Sequence, residues 1–115
     1  MPRHNIDLPH KLEYLSILDA DGHADAALEP QLSPEQLVTA YRAMLKSRLF
    51  DERMIRLQRQ GRIGTYGPGI GQEAAMMGPA FWLTPQDWLV PSFRETAAMF
   101  HRGWPIERIV LWWAG

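Results

Sequence analysis

Residues 61–71 read G-R-I-G-T-Y-G-P-G-I-G, with glycines at 61, 64, 67, 69 and 71. Such a run excludes a regular helix or strand. Glycine has no Cβ and tolerates φ > 0, so the backbone here can approach a ligand or another part of the chain closely. The run divides the sequence between a long helical pattern before it and a segment of small residues after it.

The pattern before the loop is the clearest in the chain. Ser33-Pro34-Glu35-Gln36 supplies an N-cap, a proline at the first helical position and a glutamine placed to close a capping box. Apolar residues recur at Leu37, Tyr41, Met44, Leu45, Leu49, Ile55 and Leu57, with no glycine or proline before Gly61. The spacing predicts a helix over about 34–60. Its arginine-rich final turns suit the negative end of the helix dipole.

After the loop, a second helix is expected from Gly71 or Gln72. Ala74, Ala75, Gly78 and Ala80 give it small faces that permit close packing. Gly78-Pro79 conflicts with that helix, because proline removes a donor and clashes with the preceding turn; a kink or break is expected there. Thr84-Pro85-Gln86-Asp87 reads as a turn, and Trp88-Leu89-Val90 as one short buried strand. Ser92-Phe93-Arg94-Glu95 repeats the capping-box pattern and predicts a helix to about His101, ended by Gly103. Pro105 then opens a last helix, Ile106–Trp113. Residues 1–32 read as an irregular arm, with a D-G turn signal inside 15–24 that permits a short hairpin. The division expected is an arm at 1–32 and a domain at 33–115, the latter cut off where Trp112 and Trp113 would have no following element to cover them.

Composition narrows the function classes. At 115 residues the chain is one domain at most. It has no cysteine, which excludes a disulfide framework and a thiolate metal site. The longest largely apolar run, Ala74–Leu83, is far short of the roughly 20 residues that span a bilayer. A soluble, cytoplasmic protein without membrane contact is expected. Residues 1–36 hold seven acids and residues 37–62 seven bases. A basic helix can bind nucleic acid, but no nucleic-acid motif accompanies it, and a solvated helix face beside an acidic segment accounts for the charges.

Few residues carry chemistry by themselves. Arg94 is placed near a predicted helix start, where free amides favour anions and a guanidinium adds a bidentate phosphate ligand. A surface ion pair with Glu95 or Asp87 is the competing role. The glycine loop matches neither a P-loop nor a dinucleotide fingerprint. Tyr66 can pack or hydrogen-bond within it. Gln72-Glu73 open the second helix, where an acid suits the dipole, or contact a cofactor or a neighbouring subunit. His4, His10, His23 and His101 have no metal-like spacing with one another; His101 suits a helix C-terminus. No catalytic set and no metal ligands are evident.

Five segments, in order, are R-L-F-D-E (48–52), L-Q-R-Q-G-R-I-G-T-Y (57–66), G-Q-E-A-A (71–75), D-W-L-V-P-S-F-R-E (87–95) and R-G-W-P-I-E (102–107). Over residues 33–115 the chain resembles the N-terminal part of the alpha subunit of the decarboxylating component of 2-oxo acid dehydrogenase complexes, most closely the pyruvate type. The resemblance implies a mostly α fragment of an α/β thiamine-diphosphate-binding fold. It implies thiamine diphosphate and Mg²⁺ as cofactors, an α2β2 assembly with a beta subunit, pyruvate as substrate and acetyl transfer to a lipoyl-bearing acyltransferase component. The family's diphosphate-binding aromatic-Arg pair falls on Phe93 and Arg94; Phe93 stands where the family usually has tyrosine and lacks its hydroxyl. The loop before G-Q-E-A borders the family's active site, which implies a place at the substrate mouth for Tyr66 and Gln72. A loop histidine of some relatives is Gly67 here. The metal-holding segment is expected beyond Gly115, so this chain alone is expected to be inactive. A branched-chain 2-oxo acid dehydrogenase alpha subunit and, in another class, a non-catalytic helical interaction module are the alternatives.

Overall fold

The computed structural model describes residues 9–11 and 13–115. His4 and the first eight residues of the arm lie outside them. The chain divides into two compact units, Met1–Gln31 and Leu32–Gly115.

Within the first unit, the D-G signal closes a tight loop. Gly22 takes φ 85°, and Leu18 and Ala24 form a single antiparallel bridge. The Asp19 carboxylate accepts from the amides of Asp21 (2.9 Å) and His23 (2.8 Å), which fixes the turn without a longer ladder.

The second unit contains four helices: α1 Pro34–Arg59, α2 Glu73–Phe81, α3 Thr96–His101 and α4 Ile106–Ala114. The start of α1 is the reciprocal capping box. The Gln36 amide donates to Ser33 Oγ (3.3 Å), and the Ser33 amide donates to Gln36 Oε1 (2.8 Å). α1 ends in a Schellman motif at Gly61, φ 69°, where the Arg62 amide donates to Leu57 O and the Gly61 amide to Gln58 O. Gly103, φ 80°, closes α3 in the same way, with Trp104 N–H on Met99 O and Gly103 N–H on Phe100 O.

α1 packs against α2 and α3, and α2 against α3. The core gathers Phe50, Met54, Tyr66, Met99, Phe100 and Ile109. Edge-to-face aromatic contacts order it: Phe50 on Phe100 at 5.4 Å and Tyr66 on Trp113 at 4.8 Å between ring centroids. Trp113 is thereby half-covered, while Trp112 stays exposed beside it.

The buried face of α1 is Ala43, Ser47, Phe50, Asp51 and Met54; of its periodic apolar residues, Leu37, Tyr41, Leu45 and Leu49 are exposed and Met44, Ile55 and Leu57 half-buried. Three expectations are corrected. Trp88-Leu89-Val90 is not a strand. Trp88 is 89% exposed and Val90 86%, and no neighbouring strand is present among the described residues to bond the segment. The helix expected from Ser92 begins at Thr96. Glu95 folds back to accept from the Ser92 amide (2.8 Å), but its second bond, from the Arg94 amide (3.1 Å), holds 92–95 as a turn. α2 runs through Pro79 and stops two residues later, so the missing donor costs one bond near the helix end rather than breaking a long helix. His101 stacks on Phe81 (5.7 Å, 30°) and joins α2 to α3.

Candidate functional site

The site grows from one physical fact, the closeness of the glycine loop to the Phe93-Arg94 turn. A Cβ on Gly67 would lie 3.2 Å from Phe93 Cδ2. A Cβ on Gly69 would lie 2.7 Å from Met76 Cε and 3.2 Å from the Arg94 carbonyl oxygen. Neither glycine has positive φ. Space, rather than backbone conformation, favours glycine at both positions: a Cβ at Gly69 would displace the Met76 tip and crowd the Arg94 carbonyl, and one at Gly67 would crowd the Phe93 ring. Two segments separated by some twenty-five residues of sequence are thus in direct contact.

Beside that contact runs a groove of about 310 Å³. Its apolar lining comes from Ala75, Met76, Pro79, Ala80, Leu83, Leu89 and Ala98, and its polar groups are Gln72, Arg94 and Glu95. Ala75, Met76, Pro79 and Ala80 of α2 form one wall; the close packing expected of its small residues is not made by Ala74, Ala75 or Gly78, which are exposed, and the packed face is Glu73, Met76, Met77 and Ala80. The turn before α3 supplies the other.

Arg94 is the groove's only cation. Its guanidinium lies 5.0 Å from the centroid of the Phe93 ring. Among the described residues no carboxylate lies within ion-pair distance of it. The two acids that would have paired it are committed elsewhere. Asp87 accepts from the Thr84 amide (2.6 Å) and hydroxyl (2.9 Å), and Glu95 from the Ser92 and Arg94 amides. Arg102 secures the same turn, donating to Thr84 O and Asp87 O at 2.9 Å each. The surface ion pair considered for Arg94 is therefore not formed, and its position is a turn, not a helix start.

Gln72 lines the groove with Arg94. Tyr66 does not line it. It is 4% exposed and packed edge-on against Phe50 and Trp113. Its hydroxyl donates to Asp51 Oδ1. Burial and the adjacent carboxylate push the Tyr66 phenol well above its ordinary value, so it is a donor and never a phenolate.

Asp51 was not singled out by the sequence. It is completely buried and also accepts from the Gly69 amide at 2.8 Å. Burial raises its pKa, and the bonds from Tyr66 and Gly69 offset part of that. The one available signal was position: Asp51 follows Ser47 by four residues and precedes Met54 by three, on the core face.

Glu73 closes the far end of the loop. It accepts from Arg48 Nε at 2.6 Å and from the Gly71 amide at 3.0 and 3.2 Å. The Arg48 guanidinium is the main reason its pKa falls to about 2. Glu73 is thus a structural clamp between α1 and the loop, facing away from the groove.

Thiamine diphosphate, the cofactor implied above, has a polyanionic tail and flat rings. A guanidinium without an acid partner, over an apolar lining, fits that tail. The groove does not fit Mg²⁺, because Glu95 is its only carboxylate and is engaged by amides. Asp19, Asp21 and His23 lie at metal-ligating distances in the first unit, but they are exposed and the turn explains their grouping.

A sequence profile of the dehydrogenase E1 component matches residues 41–115, and the chain belongs to that family. Its relatives are specific in name. It is 41% identical over 88 residues to the pyruvate dehydrogenase E1 component subunit alpha of Acholeplasma laidlawii, covering 76% of this chain and 26% of that protein. To the subunit of the same name from Staphylococcus aureus it is 36% identical over 110 residues, 95% of this chain and 30% of the relative. That from Staphylococcus epidermidis is 37% identical over 106 residues, covering 91% and 29%. The chain spans between a quarter and a third of the length of these relatives. Among the described residues no helix is long and apolar enough to cross a membrane.

Proposed function

We propose that this chain forms one wall of a thiamine diphosphate site in the alpha subunit of a pyruvate dehydrogenase. The carrying observation is Arg94, left without an acid partner on an apolar groove while both neighbouring carboxylates are tied to backbone amides. Relatives that bear the subunit's name support the substrate class.

When bound, the cofactor supplies the electron sink for decarboxylating a 2-oxo acid. The chain's own residues do simpler work. Arg94 neutralises and orients the diphosphate through charge-assisted hydrogen bonds. The Phe93 ring holds the guanidinium by its face. Gly67 and Gly69 let the loop lie against that pair, and Gln72 offers an amide at the groove. The lining of Ala75, Ala80, Leu83 and Ala98 gives the tail an apolar bed beside the guanidinium. In this reading the Mg²⁺ ligands lie further along the subunit, and a beta subunit completes an α2β2 enzyme in the cytoplasm. The acetyl group passes to a lipoyl-bearing acyltransferase.

The test is the apparent cofactor constant of the assembled enzyme at fixed Mg²⁺. Arg94→Ala is expected to raise it about tenfold to a hundredfold, from the roughly 1.5–3 kcal/mol of a hydrogen bond to a charged group. Arg94→Lys recovers part of the loss, because it keeps the charge without the planar fork. A constant within about twofold of wild type for Arg94→Ala would remove the anion site.

A further inference from the structure

We infer that Asp51 is a positioning residue for the cofactor groove, acting through the glycine loop on Phe93 and Arg94. The inference rests on the proposed reading of Arg94 and extends it to a residue that never touches the ligand.

Three observations link Asp51 to the groove. Its carboxylate is completely buried on α1, and its two hydrogen-bond partners both belong to the loop: the Tyr66 hydroxyl on Oδ1 and the Gly69 amide on Oδ2 at 2.8 Å. These bonds hold the loop at both sides of Gly67 and Pro68. The same short stretch then meets the turn: Gly67 faces the Phe93 ring, and Gly69 faces the Arg94 carbonyl and Met76, where a Cβ would lie 3.2 Å from the carbonyl oxygen and displace the Met76 tip. Met76 itself lines the groove. The loop thus abuts the Phe93 ring, the Arg94 carbonyl and Met76, so its position is felt at that wall of the groove.

The chemistry explains why a buried acid suits this place. Burying an ionisable group is costly without hydrogen bonds. Here both carboxylate oxygens are occupied by donors from one loop. A carboxylate accepts at both oxygens and fixes the hydroxyl and amide together. An amide side chain has only one acceptor and brings two donors that need partners. Asp51→Asn therefore loosens one end of the stretch that abuts Arg94.

The test uses the full-length subunit assembled with its partner, in four forms: wild type, Asp51→Asn, Tyr66→Phe and Arg94→Ala. Direct binding of thiamine diphosphate at fixed Mg²⁺ is measured by equilibrium dialysis, with KM for pyruvate alongside. Asp51→Asn is expected to raise the cofactor Kd about tenfold and Tyr66→Phe about threefold, with KM changed less than about twofold. A purely structural Asp51 would lower the yield of folded enzyme and leave the Kd of the folded fraction unchanged. That result overturns the inference. If Asp51→Asn does not assemble, Tyr66→Phe decides, and a Kd equal to wild type overturns it. Arg94→Ala separates the two claims. If it also leaves the Kd unchanged, the groove itself is misassigned; if it weakens binding while the other two do not, only the role of Asp51 fails.

Discussion

The two faces of α1 are opposite in character to what a helix of a folded domain usually shows. The buried face carries Ser47 and Asp51 among Ala43, Phe50 and Met54, and the Ser47 hydroxyl has no partner among the described residues. The other face carries Leu37, Tyr41, Leu45 and Leu49 and is open. A helix that hides acid and displays leucine is not placed by hydrophobicity alone. The buried face is fixed by what it bonds: Asp51 receives the loop, and Phe50 receives the rings of Tyr66 and Phe100. The open face has the composition of an interface.

The largest expected effect that sharpens this contrast is on the buried face. Met54→Ala removes a fully buried side chain and is expected to destabilise the 115-residue chain by about 2–5 kcal/mol in denaturant unfolding. Leu49→Gln, five residues earlier on the open face, is expected to change stability by less than about 0.5 kcal/mol. If the two substitutions cost the same, the faces have been assigned wrongly.

A smaller effect separates the two acids that clamp the loop. Both accept a loop amide, yet their pKa values move in opposite directions: the Arg48 guanidinium dominates at Glu73, whereas burial dominates at Asp51 and its neutral donors offset only part of it. Glu73 is depressed to about 2, so its contribution is present above its ordinary value and is lost as pH falls from there toward about 2. Asp51 is raised, so its ionisation opposes folding, and stability gains as pH falls through its folded value. Glu73→Gln is expected to flatten the acid limb of the stability profile. Its cost at neutral pH is about 1–2 kcal/mol, reduced because water reaches Arg48. Asp51→Asn is expected to steepen the same limb. Unfolding profiles between pH 2 and 7 that move in the same direction for both variants would break the distinction.

Much of the frame was legible because its signals are local. Ser33 and Gln36 close their box within four residues, and Gly61 and Gly103 end their helices within one turn. The pairing of Gly67 and Gly69 with Phe93 and Arg94 was implicit only in the motif order. Asp51 was illegible because its partners lie 15 and 18 residues away. The supposed strand at 88–90 misled for a related reason. Apolar residues predict burial only when another element covers them, and no described residue covers Trp88 or Val90.

The most direct test of the central claim, that Arg94 reads the cofactor's diphosphate, varies the ligand as well as the protein. Calorimetric titration of the assembled enzyme compares thiamine diphosphate with thiamine, in wild type and in Arg94→Ala, at the same Mg²⁺ concentration. The account predicts that Arg94→Ala loses about tenfold or more for thiamine diphosphate and less than about twofold for thiamine, which has no phosphate for the guanidinium to hold. Equal losses for both ligands would contradict it and make Arg94 a support of the turn alone.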